Sequence, residues 1–424
     1  MLIFYSLALL LVLVAASPWW IFRMAAGGKY REGLAERLGL IPARIKSGLQ
    51  GAPVVWVHAV SVGEVLAASL LVDEMTQRLG AWPGNWRVMI STTTRTGQRL
   101  ARERFGERRV FYFPLDFAFA VRSWLRLLRP RLFVLMETEF WPRMLVECRR
   151  AGIPVAVVNA RISDRSWPRY RRLRAIWRRL LGGLALVLAQ SETDADRLRA
   201  LGAAHVRVAG NLKYDVRAVK TAPVTEVLRA HLPAGVPLLV CGSTLAGEEE
   251  MLLDALPPGV VAILAPRHPE RFDEVAQMLR RRSLRWVRRS EWMRSPSDLQ
   301  PGTIFLLDSI GELASVYSLA VAAFVGGSLV PAGGHNPLEP AQFGVPVIMG
   351  PSYQNFRGIV ETLRGRDALR IVEPGELRAA FAAVLSGSPE SRAMGSRAQQ
   401  VFSSEAGATG RAVQALLALL EAQP

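Results

Sequence analysis

Residues Val325 to Gly350 read VGGSLVPAGGHNPLEPAQFGVPVIMG, and the fold turns on this stretch. Val321 to Val325 is an apolar run of strand length, ended by Gly326 and Gly327. A glycine-rich loop through Gly333 and Gly334 follows. A helix is expected to open at Asn336, with Pro337 where a missing N–H costs nothing. Strand, loop and helix start form a nucleotide-binding pattern, because bare backbone N–H groups approach an anion and the helix aims its partial positive charge at the same point. Glu339 falls in the first turn, where a carboxylate accepts hydrogen bonds from a vicinal diol such as a ribose. Glycine-rich loops also serve tight turns and nothing else, so the pattern needs support. A second strand, Val345 to Met349, ends at Gly350 and Pro351. Two successive strands thus turn near one edge, where open parallel sheets hold ligands.

The chain has 424 residues, enough for two domains that each bury most of their apolar surface. Half of the residues are hydrophobic, which excludes a disordered chain. Cys148 and Cys241 lie far apart in apolar or helical settings, which suits a reducing compartment and excludes a disulfide framework. The five histidines are scattered, and no Cys/His cluster has metal-ligand spacing. A net charge of +17 calls for an acidic partner: nucleic acid, anionic lipid or a phosphorylated substrate.

The first residues choose among these. Met1 to Ala16 is almost wholly apolar, Pro18 breaks it, Trp19 and Trp20 form an interfacial pair, and Arg23, Lys29, Arg31 and Arg37 follow. Counted through Phe22, the run is about one bilayer crossing. A cleaved signal would carry its positive charge in front of the apolar core. Here the charge lies behind, so the expectation is an uncleaved anchor at residues 1–22 with the body in the cytoplasm. Tyr30 to Leu38 is expected as a short amphipathic helix on the membrane surface.

From Val54 onward apolar strands alternate with helical patterns, the signature of doubly wound parallel sheets. Strands are expected at Val54 to His58, Val88 to Ser91, Val110 to Phe113, Leu132 to Met136, Val155 to Val158 and Leu184 to Ala189. The alternation restarts at Leu238 to Cys241, Val260 to Leu264, Ile304 to Leu307, Val321 to Val325 and Val345 to Ile348. The expected division is an anchor (1–22), a first Rossmann-like domain (23–215), a linker (216–236), a second Rossmann-like domain (237–405) and a C-terminal helix crossing back (406–424), with a cleft between the domains. One insertion departs from this rhythm: Arg161, Arg165, Arg169, Arg171, Arg172, Arg174, Arg178 and Arg179 are interleaved with Trp167, Tyr170 and Trp177. With an anchor upstream, contact with lipid phosphates is preferred over a single-stranded nucleic acid platform, each arginine contributing on the order of 1 kcal/mol.

Chemistry-bearing residues gather at strand carboxyl ends. Glu64, in the first turn of the helix after the first strand, is a candidate general base pointing into the cleft, although a first-turn glutamate often does no more than interact with the helix dipole. Glu137 stands directly after a buried strand, whereas Glu139 caps the next helix in the simplest reading. Lys213, in Gly210 to Asp215, reaches toward a phosphate. In the second half, Arg267 between Pro266 and Pro269 is stiffly placed for a phosphate contact. Ile310, Gly311 and Glu312 open a helix whose N-terminus offers another anion site. Asp194 and Asp196 have the look of a metal pair, but they fall at a helix start where acids belong anyway.

These residues carry a resemblance. HAVSVGE (His58–Glu64), METEFWP (Met136–Pro142), NAR (Asn159–Arg161), GNLKYD (Gly210–Asp215), PRHPERF (Pro266–Phe272), GEL (Gly311–Leu313) and GGSLVPAGGHNPLEP (Gly326–Pro340) closely resemble the 3-deoxy-D-manno-octulosonic acid (Kdo) transferases in fixed order. The resemblance implies a GT-B fold and an inverting, metal-independent transfer of Kdo from CMP-Kdo to the acylated lipid A precursor, lipid IVA, at the inner face of the bacterial inner membrane, without a cofactor and without nucleic acid. It implies Glu64 as proton acceptor and Glu137 and Lys213 as transition-state stabilisers. CMP would be held by Pro266, Arg267, Ile310, Gly311, Glu312, Asn336, Pro337, Leu338 and Glu339. Ile310 stands where methionine is expected in some relatives, which bears on the fit of the base. Two alternatives stay open: another membrane-bound GT-B transferase using a UDP-sugar, and a basic membrane-associated nucleic-acid binder without catalysis.

Overall fold

A computed structural model describes residues 2–17, 32–49, 51–217 and 221–422. The chain divides into two compact units, Met1–Val216 with Ala406–Pro424, and Arg217–Glu405.

In the first unit the strands are β1 (Val54–His58), β2 (Arg87–Thr92), β3 (Val110–Tyr112), β4 (Leu132–Met136), β5 (Val155–Ala160), β6 (Leu186–Ala189) and β7 (Val206–Val208). They form one parallel sheet in the order β3-β2-β1-β4-β5-β6-β7. The period-two geometry of a strand covered on both faces explains why β1 is apolar from Val54 to Val57 and buried throughout. Val54 and Trp56 face one layer, where Trp56 packs on Phe111 and Phe133. Val55 and Val57 face the other, covered by helix Val62–Gly80 and by the final helix Ala408–Glu421, which inserts Val413, Leu416 and Leu420.

The second unit repeats the plan with β8 (Leu238–Thr244), β9 (Val261–Pro266), β10 (Trp286–Arg288), β11 (Ile304–Leu306), β12 (Ala322–Val325), β13 (Val347–Met349) and β14 (Arg370–Ile371). This sheet is also parallel, in the order β10-β11-β9-β8-β12-β13-β14. Leu239 and Cys241 pack on one face, Leu238 and Val240 on the other. The stretch 216–236, expected as a linker, contains helix Pro223–His231, whose Val224 and Leu228 are buried beside Val240 and Phe305.

The apolar N-terminal helix spans Leu2–Ala15, 14 residues. At 1.5 Å per residue this is about 21 Å, short of a bilayer core of roughly 30 Å. Among the described residues no helix is long and apolar enough to cross a membrane. Trp19, Trp20, Phe22, Arg23, Lys29 and Arg31, on which the rest of the anchor expectation stands, lie outside the described residues. Of Tyr30 to Leu38, helix Leu34–Arg37 forms. Its Glu36 turns into the first unit, accepting from Tyr112 N at 2.7 Å and pairing with Arg44.

Candidate active site

Each sheet has a point where the chain's connections reverse direction, and there the loops leaving two adjacent strands part and leave a crevice. In the first unit this point lies between β1 and β4, because β2 and β3 extend the sheet one way and β4 to β7 the other. Glu64 follows β1 and Glu137 follows β4, so the two carboxylates flank the crevice. Glu64 is only 7% exposed. Instead of standing free, its carboxylate folds back, accepting from Val60 N at 2.8 Å and from the Ser61 hydroxyl at 3.1 Å. Burial pushes its pKa up to about 7, and the nearby negative charges of Glu137 and Glu139 act in the same direction, against the Val60 and Ser61 hydrogen bonds. A carboxylate tuned to that range accepts a proton well near neutrality.

Glu137 has a left-handed backbone, φ 53°, and its N–H donates to Val158 O at 2.8 Å. Such a conformation is costly for a residue with a Cβ, and strain of this kind clusters at functional sites. Glu139 does not cap helix Pro142–Arg150, which has no side-chain cap of its own. Asp116 serves instead, reaching across to accept from Arg143 N and Met144 N, each at 2.8 Å. Glu139 is left partly buried beside Glu137, and its pKa is raised by desolvation first and by that neighbour second.

Lys213 sits on the short 3-10 helix Leu212–Asp215. A chain of amides seats it: Asn159 Oδ1 accepts from Leu212 N at 3.1 Å, Gln190 Nε2 donates to Asn159 O at 2.9 Å, Asn211 Nδ2 donates to Gln190 Oε1 at 3.0 Å, and Asn211 Oδ1 accepts from Lys213 N at 3.0 Å. Asn159, 1% exposed with φ 60°, is the penultimate residue of β5, the strand paired with β4, which Glu137 follows. Its Nδ2 is a buried donor with no hydrogen-bond partner among the described residues. Sequence reasoning gave no role to Asn159, Gln190 or Asn211, since an amide's task depends on partners far away in the chain.

In the second unit the reversal lies between β8 and β12. The loops leaving these strands touch: a Cβ on Gly326 would come within 2.5 Å of Ser243 O, so only glycine fits there. The glycine-rich loop does not offer its amides to an anion as expected. Gly327 N, Ser328 N and Leu329 N donate to the buried Glu248 carboxylate, Gly333 N to Ser352 Oγ, Gly334 N to Gly327 O and His335 N to Gly326 O. The loop is an internally satisfied scaffold, and the small residues shape it for its own packing.

The helix expected from Asn336 begins at Leu338 and runs only to Ala341, after Pro337. Asn336 Oδ1 accepts from Leu338 N at 3.1 Å. Glu339 has its pKa raised by desolvation, opposed by the positive charge of Arg267 and by a hydrogen bond from Asn336. Arg267, exposed just past Pro266 at the end of β9, thus lies near Glu339, and its N–H donates to Thr244 O at 2.9 Å. Burial first, and then Arg267 and His268, lower the pKa of His335 to about 4, so its imidazole is neutral at neutral pH. Ile310 is 64% exposed beside Gly311, φ 92°. Helix Leu313–Val316 after them has four residues, too few for much of a dipole, and Glu312 is tied by Arg289 at 2.7 Å and by the Ser309 hydroxyl.

The structure therefore gathers Glu64 and Glu137 at one sheet edge, and Arg267 with Glu339 at the other sheet's edge. Asp194 uses both oxygens within the fold, accepting from Ile162 N at 2.9 Å and Ser191 Oγ at 2.6 Å, and Asp196 pairs with Arg199.

The family model described as 3-deoxy-D-manno-octulosonic-acid transferase (kdotransferase) matches residues 32–216. The chain is 33% identical to a 3-deoxy-D-manno-octulosonic acid transferase of Haemophilus influenzae, across 93% of this chain and 92% of that protein. It is 35% identical to the transferase of the same name from Bordetella pertussis, across 94% of each. Among solved structures, MurG of Acinetobacter baumannii is similar with a TM-score of 0.54 and 14% identity, across 87% of this chain and 99% of that one. At such identity the likeness shows the fold alone, the two-domain α/β arrangement of GT-B.

Proposed function

The chain belongs to the 3-deoxy-D-manno-octulosonic acid transferase family, and from that premise we propose that this glycosyltransferase moves Kdo from CMP-Kdo to a hydroxyl of the acylated lipid A precursor, lipid IVA, with inversion and without a metal. The observation that carries the mechanism is Glu64, a buried carboxylate at the switch point of its sheet with its pKa raised to about 7.

Glu64 takes the proton of the acceptor hydroxyl as that oxygen bonds to the anomeric carbon of Kdo, and the bond from that carbon to the CMP phosphate oxygen breaks. Its electron pair leaves with CMP. Glu137 and Lys213 stabilise the charge that develops in the transition state, and Arg267 balances the phosphate. On the donor side, Glu339 and Asn336 address the ribose, Pro337 and Leu338 fix the turn that carries them, and Pro266, Ile310, Gly311 and Glu312 complete the CMP contacts. Lysine and arginine side chains supply the positive charge that a monophosphate leaving group requires, which is the reason a metal is not invoked.

A membrane lipid acceptor fits two surfaces of the first unit. Helix Leu2–Ala15 leaves Leu7, Leu10, Leu11, Val12 and Val14 exposed, and Leu173, between helices Trp167–Arg172 and Arg174–Leu181, and Ile176 in the second of them are exposed among the arginines of both. Apolar residues ringed by arginine suit an anionic lipid surface. The reading places the enzyme at the cytoplasmic face of the bacterial inner membrane. Incubation with labelled donors tests it: transfer to lipid IVA is expected from CMP-Kdo and not from UDP-sugars, it persists in EDTA, and mass spectrometry of the product gives the number of Kdo residues added. Turnover of a UDP-sugar alone would overturn the donor assignment.

A further inference from the structure

We propose that Glu248 and Glu249, the first two residues of helix Glu248–Ala255, are positioning residues for the donor, each holding one of the segments that carry CMP contacts. The inference rests on the donor reading above and deepens it.

Both carboxylates are withdrawn from water, at 0% and 2% exposure. Glu248 accepts four backbone donors: Leu245 N at 2.8 Å and Gly327 N at 2.7 Å on one oxygen, Ser328 N and Leu329 N at 2.9 Å each on the other. A buried carboxylate is tolerated when donors replace its hydration on both oxygens. An amide in its place accepts on one oxygen only and turns its own N–H groups toward backbone N–H groups. The pinned segment passes its position on, since Gly326 O and Gly327 O accept from His335 N at 3.1 Å and Gly334 N at 2.7 Å, immediately before Asn336. Ser328 extends the clamp to the next strand by accepting from Gly350 N at 2.9 Å.

Glu249 holds the other segment. Arg271 forks onto it, Nη1 at 2.7 Å and Nη2 at 3.2 Å, and Thr244 Oγ1 donates to the same carboxylate at 2.8 Å. Arg271 closes the short turn Pro269–Arg271 that follows Arg267, while Thr244 O accepts the Arg267 N–H. Arg267 is thereby fixed on both sides, and one helical turn holds the mounts of both Arg267 and Glu339. A bidentate guanidinium pair fixes orientation as well as distance, which lysine does not reproduce.

Titration of the full-length protein with CMP, beside thermal unfolding, separates positioning from general stability. The variants are E248Q, E249Q and R271K, with V384A as a control in the same unit, because Val384 is buried in the core and belongs to neither segment. The expected result is a CMP Kd raised about tenfold or more in E248Q and E249Q and several-fold in R271K, with the Michaelis constant for the donor rising more than the turnover number falls. V384A is expected to lower the unfolding temperature while leaving the Kd within about twofold. Should E248Q fail to fold, E249Q and R271K carry the test. Wild-type CMP affinity in both of these would overturn the inference. Absence of CMP binding by the wild-type protein would overturn the donor reading, and the inference with it.

Discussion

Glu64 shows what a sequence discloses about one residue and what it withholds. Its place, in the first turn after the opening strand, was legible from the alternation of apolar runs. Its burial and its bonds to Val60 and Ser61 were not, because they depend on how the turn closes and on Glu137, which arrives from another strand. The raised pKa has a signed consequence. Only the ionised carboxylate accepts a proton, and it is ionised above about pH 7, so kcat/KM should fall about tenfold per unit as pH drops below 7 and level off above. A profile with its limb near the ordinary carboxylate pKa would show that Glu64 is not the base. Asn159 marks the opposite limit: its left-handed backbone and partnerless Nδ2 exist only once the neighbouring strand is in place.

Among elements, the central strands and the edge strand β3 are plain in the sequence, and the other three edge strands are not. β1 and β4 match the expected strands residue for residue, whereas β7, β10 and β14 have no apolar run to mark them. Edge strands are short and need no continuous apolar run, and β7 is largely exposed. The glycine-rich loop lies at the sheet's edge where the sequence puts it, but the expected anion cradle does not form, because its amides are committed to Glu248, a partner about eighty positions earlier in the chain that local pattern does not reveal. Helix Pro142–Arg150 gives a similar lesson, since its cap comes from Asp116 and not from Glu139. Asp116→Ala leaves two helix N–H groups without their acceptor and should cost on the order of 1–3 kcal/mol in urea unfolding. It should also lower turnover, because this cap holds the helix that follows the Glu137–Trp141 turn. A variant as stable as the wild type would refute the cap's importance.

For the whole molecule, the alternation of strands and helices suffices for the class: two parallel sheets, of seven strands each among the described residues, and the solved MurG structure shares this fold. The family is secure from identity along nearly the full chain. The anchor is where sequence and structure part most, since helix Leu2–Ala15 is shorter than a bilayer crossing and the flanking tryptophans lie outside the described residues. Kdo transfer by Glu64→Gln most directly tests the account, measured from CMP-Kdo to lipid IVA at pH 8 with CMP affinity determined on the same preparation. Transfer reduced about a hundredfold or more, with CMP bound as tightly as by the wild type, is the predicted result. Transfer within a few-fold of the wild type would contradict it.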